Sequence, residues 1–146
     1  MASIHIASDH AGFEVKNKVV QLLNQLGHQV LDHGPQNDQR CDYPDFANIV
    51  CQGLIAAPDS FGVLICGSGQ GMAMRANKYN LIRAALCSSP EMARLSREHN
   101  NANVLCLGAR TTDLPILLKT VEQFFVSSFE GGRHQARVDK IHSSTC

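Results

Sequence analysis

The chain has 146 residues, with 13 Lys plus Arg balancing 13 Asp plus Glu for a formal net charge of zero. That length suits one domain with a sizeable core, and the balance gives no support for a general nucleic-acid or membrane-surface role. A hydrophobic content of 44% is ordinary for a globular chain, and no apolar run approaches the roughly 18 residues of a membrane span. Strand-like and helix-like segments then alternate. Ser3 to Ser8 reads as a strand. Phe13 to Leu26 has apolar residues at Val15, Val19, Leu22, Leu23 and Leu26, a helical spacing that Gly27 stops. His28 to Asp32 predicts a second strand and Gly34 to Asp42 a polar loop. Pro44 opens a helix towards Ala57, since proline is tolerated in a first turn. Phe61 to Ile65 is the third strand, Met72 to Lys78 a short helix, and Arg83 to Cys87 the fourth strand. Ser89-Pro90-Glu91 starts a helix running to about His99. Asn103 to Leu107 is the fifth strand, Asp113 to Phe125 a helix, and Arg133 to Ile141 a last helix.

Six cysteines are present (Cys41, Cys51, Cys66, Cys87, Cys106 and Cys146), none in a C-x-x-C pair. Zinc ribbons and thioredoxin-like sites are therefore not expected, and Cys51, Cys87 and Cys106 read as core thiols. This usage fits a reducing compartment, and the Met1-Ala2-Ser3 start shows neither a signal-peptide pattern nor the glycine of a myristoylation motif. A cytoplasmic location is expected.

Alternating β and α units imply a parallel sheet covered on both faces, with ligands at the carboxyl ends of the strands. Those ends are Asp9-His10, His33, Cys66 to Gly71, Ser88-Ser89 and Gly108 to Arg110. The third is the most informative. Cys66-Gly67-Ser68-Gly69-Gln70-Gly71 follows an apolar strand and enters a helix, the form of a backbone anion cradle headed by a thiol. A C-x5-R phosphatase loop would need arginine where Met72 stands. No Gly-Lys-Ser/Thr follows for a Walker loop, and glycines at 67, 69 and 71 do not make the dinucleotide G-x-G-x-x-G.

Other groups have two readings each. Asp9 is either a helix N-cap or, with His10, a pair that orients a ligand hydroxyl or phosphate. His99-Asn100-Asn101-Ala102-Asn103 is either a helix C-cap or a general acid or base beside ligand-holding amides. Arg133, His134, Arg137 and Lys140 recur at helical intervals as one cationic edge, either solvated or a phosphate clamp with Arg110. The seven histidines form no H-x-x-x-H or H-E-x-x-H spacing, so no metal is expected.

Together, Ser8-Asp9-His10-Ala11-Gly12, Asp42-Tyr43-Pro44, Cys66 to Gly71, Ala76-Asn77-Lys78, His99 to Asn103 and Glu130-Gly131-Gly132-Arg133-His134 resemble the ribose-5-phosphate isomerase B family. That family also contains galactose-6-phosphate isomerase subunits. The resemblance covers nearly the whole chain in the same order. It implies a single-domain Rossmann-like α/β/α sandwich over residues 1–146 with a five-stranded parallel sheet and no metal or organic cofactor. It also implies a homodimer or homotetramer whose active sites are shared between subunits, with the helix at about 133–141 on or near the partner. The implied activity is interconversion of ribose 5-phosphate and ribulose 5-phosphate, a step of the pentose phosphate pathway.

At matching positions the resemblance assigns Cys66 as the base that moves a proton between C2 and C1. The N–H groups of Gly67, Ser68, Gly69, Gln70 and Gly71, with the Ser68 hydroxyl, hold the enediolate. His99 opens the furanose ring, with Asp9 on the sugar and Tyr43 and Asn100 close by. His10, Arg110, Arg133 and Arg137 take the phosphate, with His134 nearby. Many relatives have threonine at Ser68, which keeps the hydroxyl, and aspartate at Asn101, which changes the charge beside His99. Some branches replace the cysteine base with a glutamate elsewhere; Cys66 places this chain in the cysteine branch. The alternatives are isomerisation of a six-carbon sugar phosphate, such as galactose or allose 6-phosphate, and phosphosugar binding without catalysis.

Overall fold

A parallel strand covered on both faces must be apolar along its whole length, and Phe61–Cys66 has that composition. The structure, a computed structural model, describes residues 1–142. Its elements are β1 (Ser3–Ser8), α1 (Phe13–Gln25), β2 (Gln29–Asp32), α2 (Tyr43–Ala56), β3 (Phe61–Cys66) and α3 (Gln70–Ala76). There follow β4 (Ala84–Leu86), α4 (Pro90–Asn100), β5 (Val104–Gly108), α5 (Leu114–Val126), a 3-10 turn (Gly132–His134) and α6 (Gln135–Ile141). The five strands form one sheet in the order β2-β1-β3-β5-β4, and every pair is parallel. This is the expected α/β sandwich.

Alternation along the strands builds two apolar layers. Ile4, Ile6, Val63, Ile65, Leu105 and Leu107 share one with residues of α1, α4 and α5, among them Val19, Ala93 and Leu117. Ala7, Leu64, Cys66, Val104 and Cys106 share the other with α2 and α3. Each fully buried Leu or Ile contributes about 1.5–3 kcal/mol. Local signals set the ends. Gly27 follows α1 with φ +80°, and the Ser89 hydroxyl accepts from Met92 N–H at 3.3 Å to cap α4, whose first residue is Pro90. At the sheet edge the Asn77 carboxamide pairs with both backbone groups of Ala84, at 2.9 and 2.8 Å.

Three elements in particular differ from the sequence reading. α3 starts at Gln70, not Met72, and ends at Ala76, so the loop before it is only Gly67-Ser68-Gly69. β4 covers only Ala84–Leu86, because Asn77 and Asn103 side chains take up the backbone around its start. The last helix is not continuous from Arg133. A turn through Gly131 (φ +65°) and Gly132 (φ +53°) leads into the 3-10 segment, and α6 begins only at Gln135. Cys146 lies outside the described residues.

Candidate active site

The chain order reverses between β1 and β3, the switch point at which open α/β sheets bind ligands. Asp9 and Cys66 sit there side by side, since Ser8 pairs with Ile65 and Asp9 N–H donates to Ile65 C=O at 3.1 Å. Both are buried. The Asp9 carboxylate accepts from Gly12 N–H at 3.1 Å, which fixes it ahead of α1. It does not act as the N-cap, a position held by Gly12. Cys66 Sγ accepts from Gly69 N–H at 3.2 Å. That geometry needs Gly69, whose φ is +76° and where a Cβ would lie 2.8 Å from the Leu107 carbonyl carbon. Gln70 N–H reaches the Ser68 hydroxyl oxygen at 3.4 Å, leaving the Ser68 hydrogen free to point elsewhere.

Further groups close around this loop. The exposed Tyr43 ring lies on Gly71, where a Cβ would fall 2.4 Å from its Cζ. Arg110 N–H donates to Gly67 C=O at 2.8 Å, and its side chain runs alongside Gly67. His10 Nδ1 is 3.3 Å from both N and O of Cys41. In the tautomer that accepts from Cys41 N–H, Nε2 carries the hydrogen and can donate to an anion. The other buried thiols stand apart. Burial pushes Cys51 and Cys87 up to about 11 and Cys106 well above the usual thiol range. Cys41 also lies high, first from burial and then from the Asp9, Asp42 and Asp45 carboxylates, although its backbone contact with His10 works the other way.

A second cluster forms at the other edge of the sheet. α4 leaves the carboxyl end of β4 and ends beside the amino end of β5, where Asn103 N–H donates to Arg83 C=O. His99 and Asn100 are in its last turn. Under them the chain from Gly131 returns, and the His134 ring stacks on His99 with centroids 4.2 Å apart and planes 14° from parallel. His134 is thus buried, not part of a solvated cationic edge, while Arg133 and Arg137 remain exposed. Burial first, then Arg133 and His99, pull His134 below the usual histidine value; Glu130 opposes them. Glu130 Oε2 is 3.5 Å from His134 Nε2. Ligand atoms of His99, Glu130 and His134 lie within 4.8 Å of one another. In-plane lone pairs of two stacked rings run parallel and do not converge, so this trio would hold a metal only if the stack opened.

The residue types at these two edges invite comparison with known proteins. The sequence profile described as Ribose/Galactose Isomerase matches residues 4–141. The chain belongs to the ribose/galactose isomerase family. Among its relatives, "Ribose-5-phosphate isomerase B" of Escherichia coli is 40% identical over 141 residues, covering 97% of this chain and 95% of its own. A ribose 5-phosphate isomerase structure from Thermotoga maritima is 47% identical with a TM-score of 0.93, covering 97% of both chains. The Mycoplasma genitalium ribose-5-phosphate isomerase B, solved with bound ribulose-5-phosphate, is 44% identical. Its TM-score is 0.91, with 95% of this chain and 93% of that one covered.

Within one chain of this family member, Asp9, His10, Tyr43, Cys66 to Gly71 and Arg110 come together at the carboxyl edge. His99, Asn100, Arg133, His134 and Arg137 come together at the amino edge, with Glu130, to which the sequence reading gave no role. The two edges are separated by the length of β5, on the order of 15 Å. A cavity of about 580 Å³ lies at the amino edge between Lys78, Arg83, Asn100 and His142, away from Cys66. The separation was implicit in the topology, because a crossover helix must return to the amino edge before the next parallel strand. Glu130 could have been found from its i, i+4 spacing to His134.

Proposed function

We propose that this isomerase interconverts ribose 5-phosphate and ribulose 5-phosphate, and that a second copy of the chain completes each site. The observation carrying the reading is Cys66 beside Asp9 at the switch point of a fold shared with a relative solved with ribulose-5-phosphate. His99 and Asn100 reach that point only from another copy, whose amino edge is laid over the carboxyl edge of the first. The occupants of the two edges are complementary in role: a base and N–H donors on one, a proton shuttle and arginines on the other.

In the mechanism the partner copy's amino edge opens the furanose ring through its residue His99. The Cys66 thiolate takes the C2 proton of the open aldose, and the electrons move to the carbonyl oxygen as an enediolate. The Ser68 hydroxyl and the N–H groups of the Gly67 to Gly71 loop hold that charge. Passage of the O2 hydroxyl proton to O1 and return of the first proton to C1 then give the ketose. Two protons change place and no net electrons are lost, so the step calls for no redox cofactor. His10 and Arg110 from one copy, with Arg133 and Arg137 from the other, bind the phosphate; Tyr43 covers the sugar over Gly71. Free thiols at Cys41, Cys51, Cys66, Cys87 and Cys106 suit a reducing compartment, and we place the enzyme in the cytoplasm. No helix among the described residues is long and apolar enough to cross a membrane.

Turnover of ribose 5-phosphate in D2O tests this. Solvent deuterium should enter at C1 of the ribulose 5-phosphate product. Cys66→Ala should lower kcat by a factor of about 10³ or more while substrate binding persists. No exchange by the wild type, or full activity in the variant, refutes the assignment. Comparing kcat/KM for ribose 5-phosphate with galactose and allose 6-phosphates decides between five and six carbons.

A further inference from the structure

The contacts that hold His99 are unusual for a helix end. Its ring lies in the last turn of α4, and the stack on His134 fixes one face. His134 is buried, yet its Nε2 has no hydrogen-bond partner in the structure. A buried imidazole nitrogen left unpaired is destabilising, so an acceptor is expected within reach. The nearest carboxylate is Glu130, with Oε2 at 3.5 Å, one small side-chain movement from a hydrogen bond. Glu130 is itself held, because its N–H donates to Glu98 C=O at 3.0 Å beside the same helix turn. The reversal at Gly131 and Gly132, both at positive φ, then turns the chain back so that His134 comes under His99.

We propose that Glu130 is a positioning residue for ring opening: its carboxylate anchors His134 against His99 and supplies the counter-charge when His99 carries a proton. The proposal rests on the isomerase reading above. In that step the hydrogen leaves the C1 hydroxyl, the bond from C1 to the ring oxygen breaks as C1=O forms, and the ring oxygen ends with a hydrogen. His99 carries the proton in between and is then an imidazolium. Two imidazoliums with centroids 4.2 Å apart would repel, so His134 must stay neutral. Its burial and the neighbouring Arg133 keep it so. A Glu130 carboxylate oxygen lies within 4.8 Å of one ring nitrogen of each histidine, near enough to stabilise the cation on His99.

Ring opening can be separated from enolisation, because ribulose 5-phosphate cannot form a furanose: its O5 carries the phosphate. Exchange of solvent deuterium into C1 of ribulose 5-phosphate therefore reports Cys66 chemistry alone, whereas isomerisation of ribose 5-phosphate needs both steps. Glu130→Gln, a near-isosteric change at an exposed position, should lower kcat/KM for ribose 5-phosphate isomerisation by about tenfold or more. It should leave exchange into ribulose 5-phosphate within about twofold. His99→Asn should show the same split more strongly, and the double variant should be no worse than His99→Asn alone. Equal losses in both assays, or additive losses in the double variant, would mean that Glu130 only supports the fold, and no loss in either would remove it from the mechanism. Wild-type protein inactive in both assays would instead overturn the isomerase reading itself.

Discussion

Asn101 closes α4 with φ 49°, a left-handed conformation that asparagine tolerates better than most residues. Its side chain is directed to Arg97, whose Nη1 donates to Asn101 Oδ1 at 3.1 Å and to Ala102 C=O. Arg97 is buried, and its guanidinium lies 4.8 Å from the Phe61 ring centre and 5.6 Å from that of Phe124. Burial, then Arg83, lower its proton affinity, and neither arginine has an ion-pair partner among the described residues. An aspartate in place of Asn101 would therefore act on Arg97. Asn101→Asp should stabilise the protein by about 1 kcal/mol at pH 7, the charge-assisted bond outweighing a carboxylate at a helix C-terminus. The gain should disappear on acidification through the lowered carboxyl pKa, below about pH 4. Urea unfolding at the two pH values measures it, and a variant no more stable than the wild type at pH 7 contradicts the argument.

The β1–β2 pair carries a second titrating device. His5 on β1 and His33 just after β2 stack with centroids 5.1 Å apart, and His5 Nδ1 lies 2.8 Å from His33 Nε2. One ring must donate and the other accept, so the bond requires at least one neutral imidazole. Burial lowers both below the ordinary value; His33 adds to this at His5, while Asp32 opposes it at His33. The native state thus binds fewer protons than the unfolded chain once the pH drops under about 6.5. The contribution is intact above that value and is lost as the pH falls through the lowered native values. The urea midpoint should be lower at pH 5 than at pH 7, and His33→Gln should shrink the difference. An unchanged difference would show that the pair does not carry it. Neither the stack nor the bond was legible in the sequence, since both need the parallel register that sets β2 beside β1. The elements themselves were legible wherever apolar period and a capping residue agreed, as at Ser3–Ser8 and at Ser89-Pro90. They were misread where glycine had a packing role. Gly71 looked like loop, yet it lies in α3, where the Tyr43 ring fills the space of its Cβ.

Across the whole molecule, the motif residues were all visible in the sequence, but their division between two edges of the sheet was not drawn from it. That division permits a test of the shared site. Cys66→Ala and His99→Asn chains should each be inactive alone. When mixed and allowed to exchange subunits, half the dimers pair one of each, and one of their two sites is intact. About a quarter of wild-type activity should return if dimers exchange at random. No recovery after verified exchange would mean that each site draws both residues from a single chain. The Asn77 carboxamide bears on how copies meet. By satisfying both backbone groups of Ala84, it occupies the place that a sixth strand would take on the β4 side. A copy arriving along that margin finds the rung at Ala84 already taken. Edge-to-edge pairing of two sheets at Ala84 is thus blocked by one side chain.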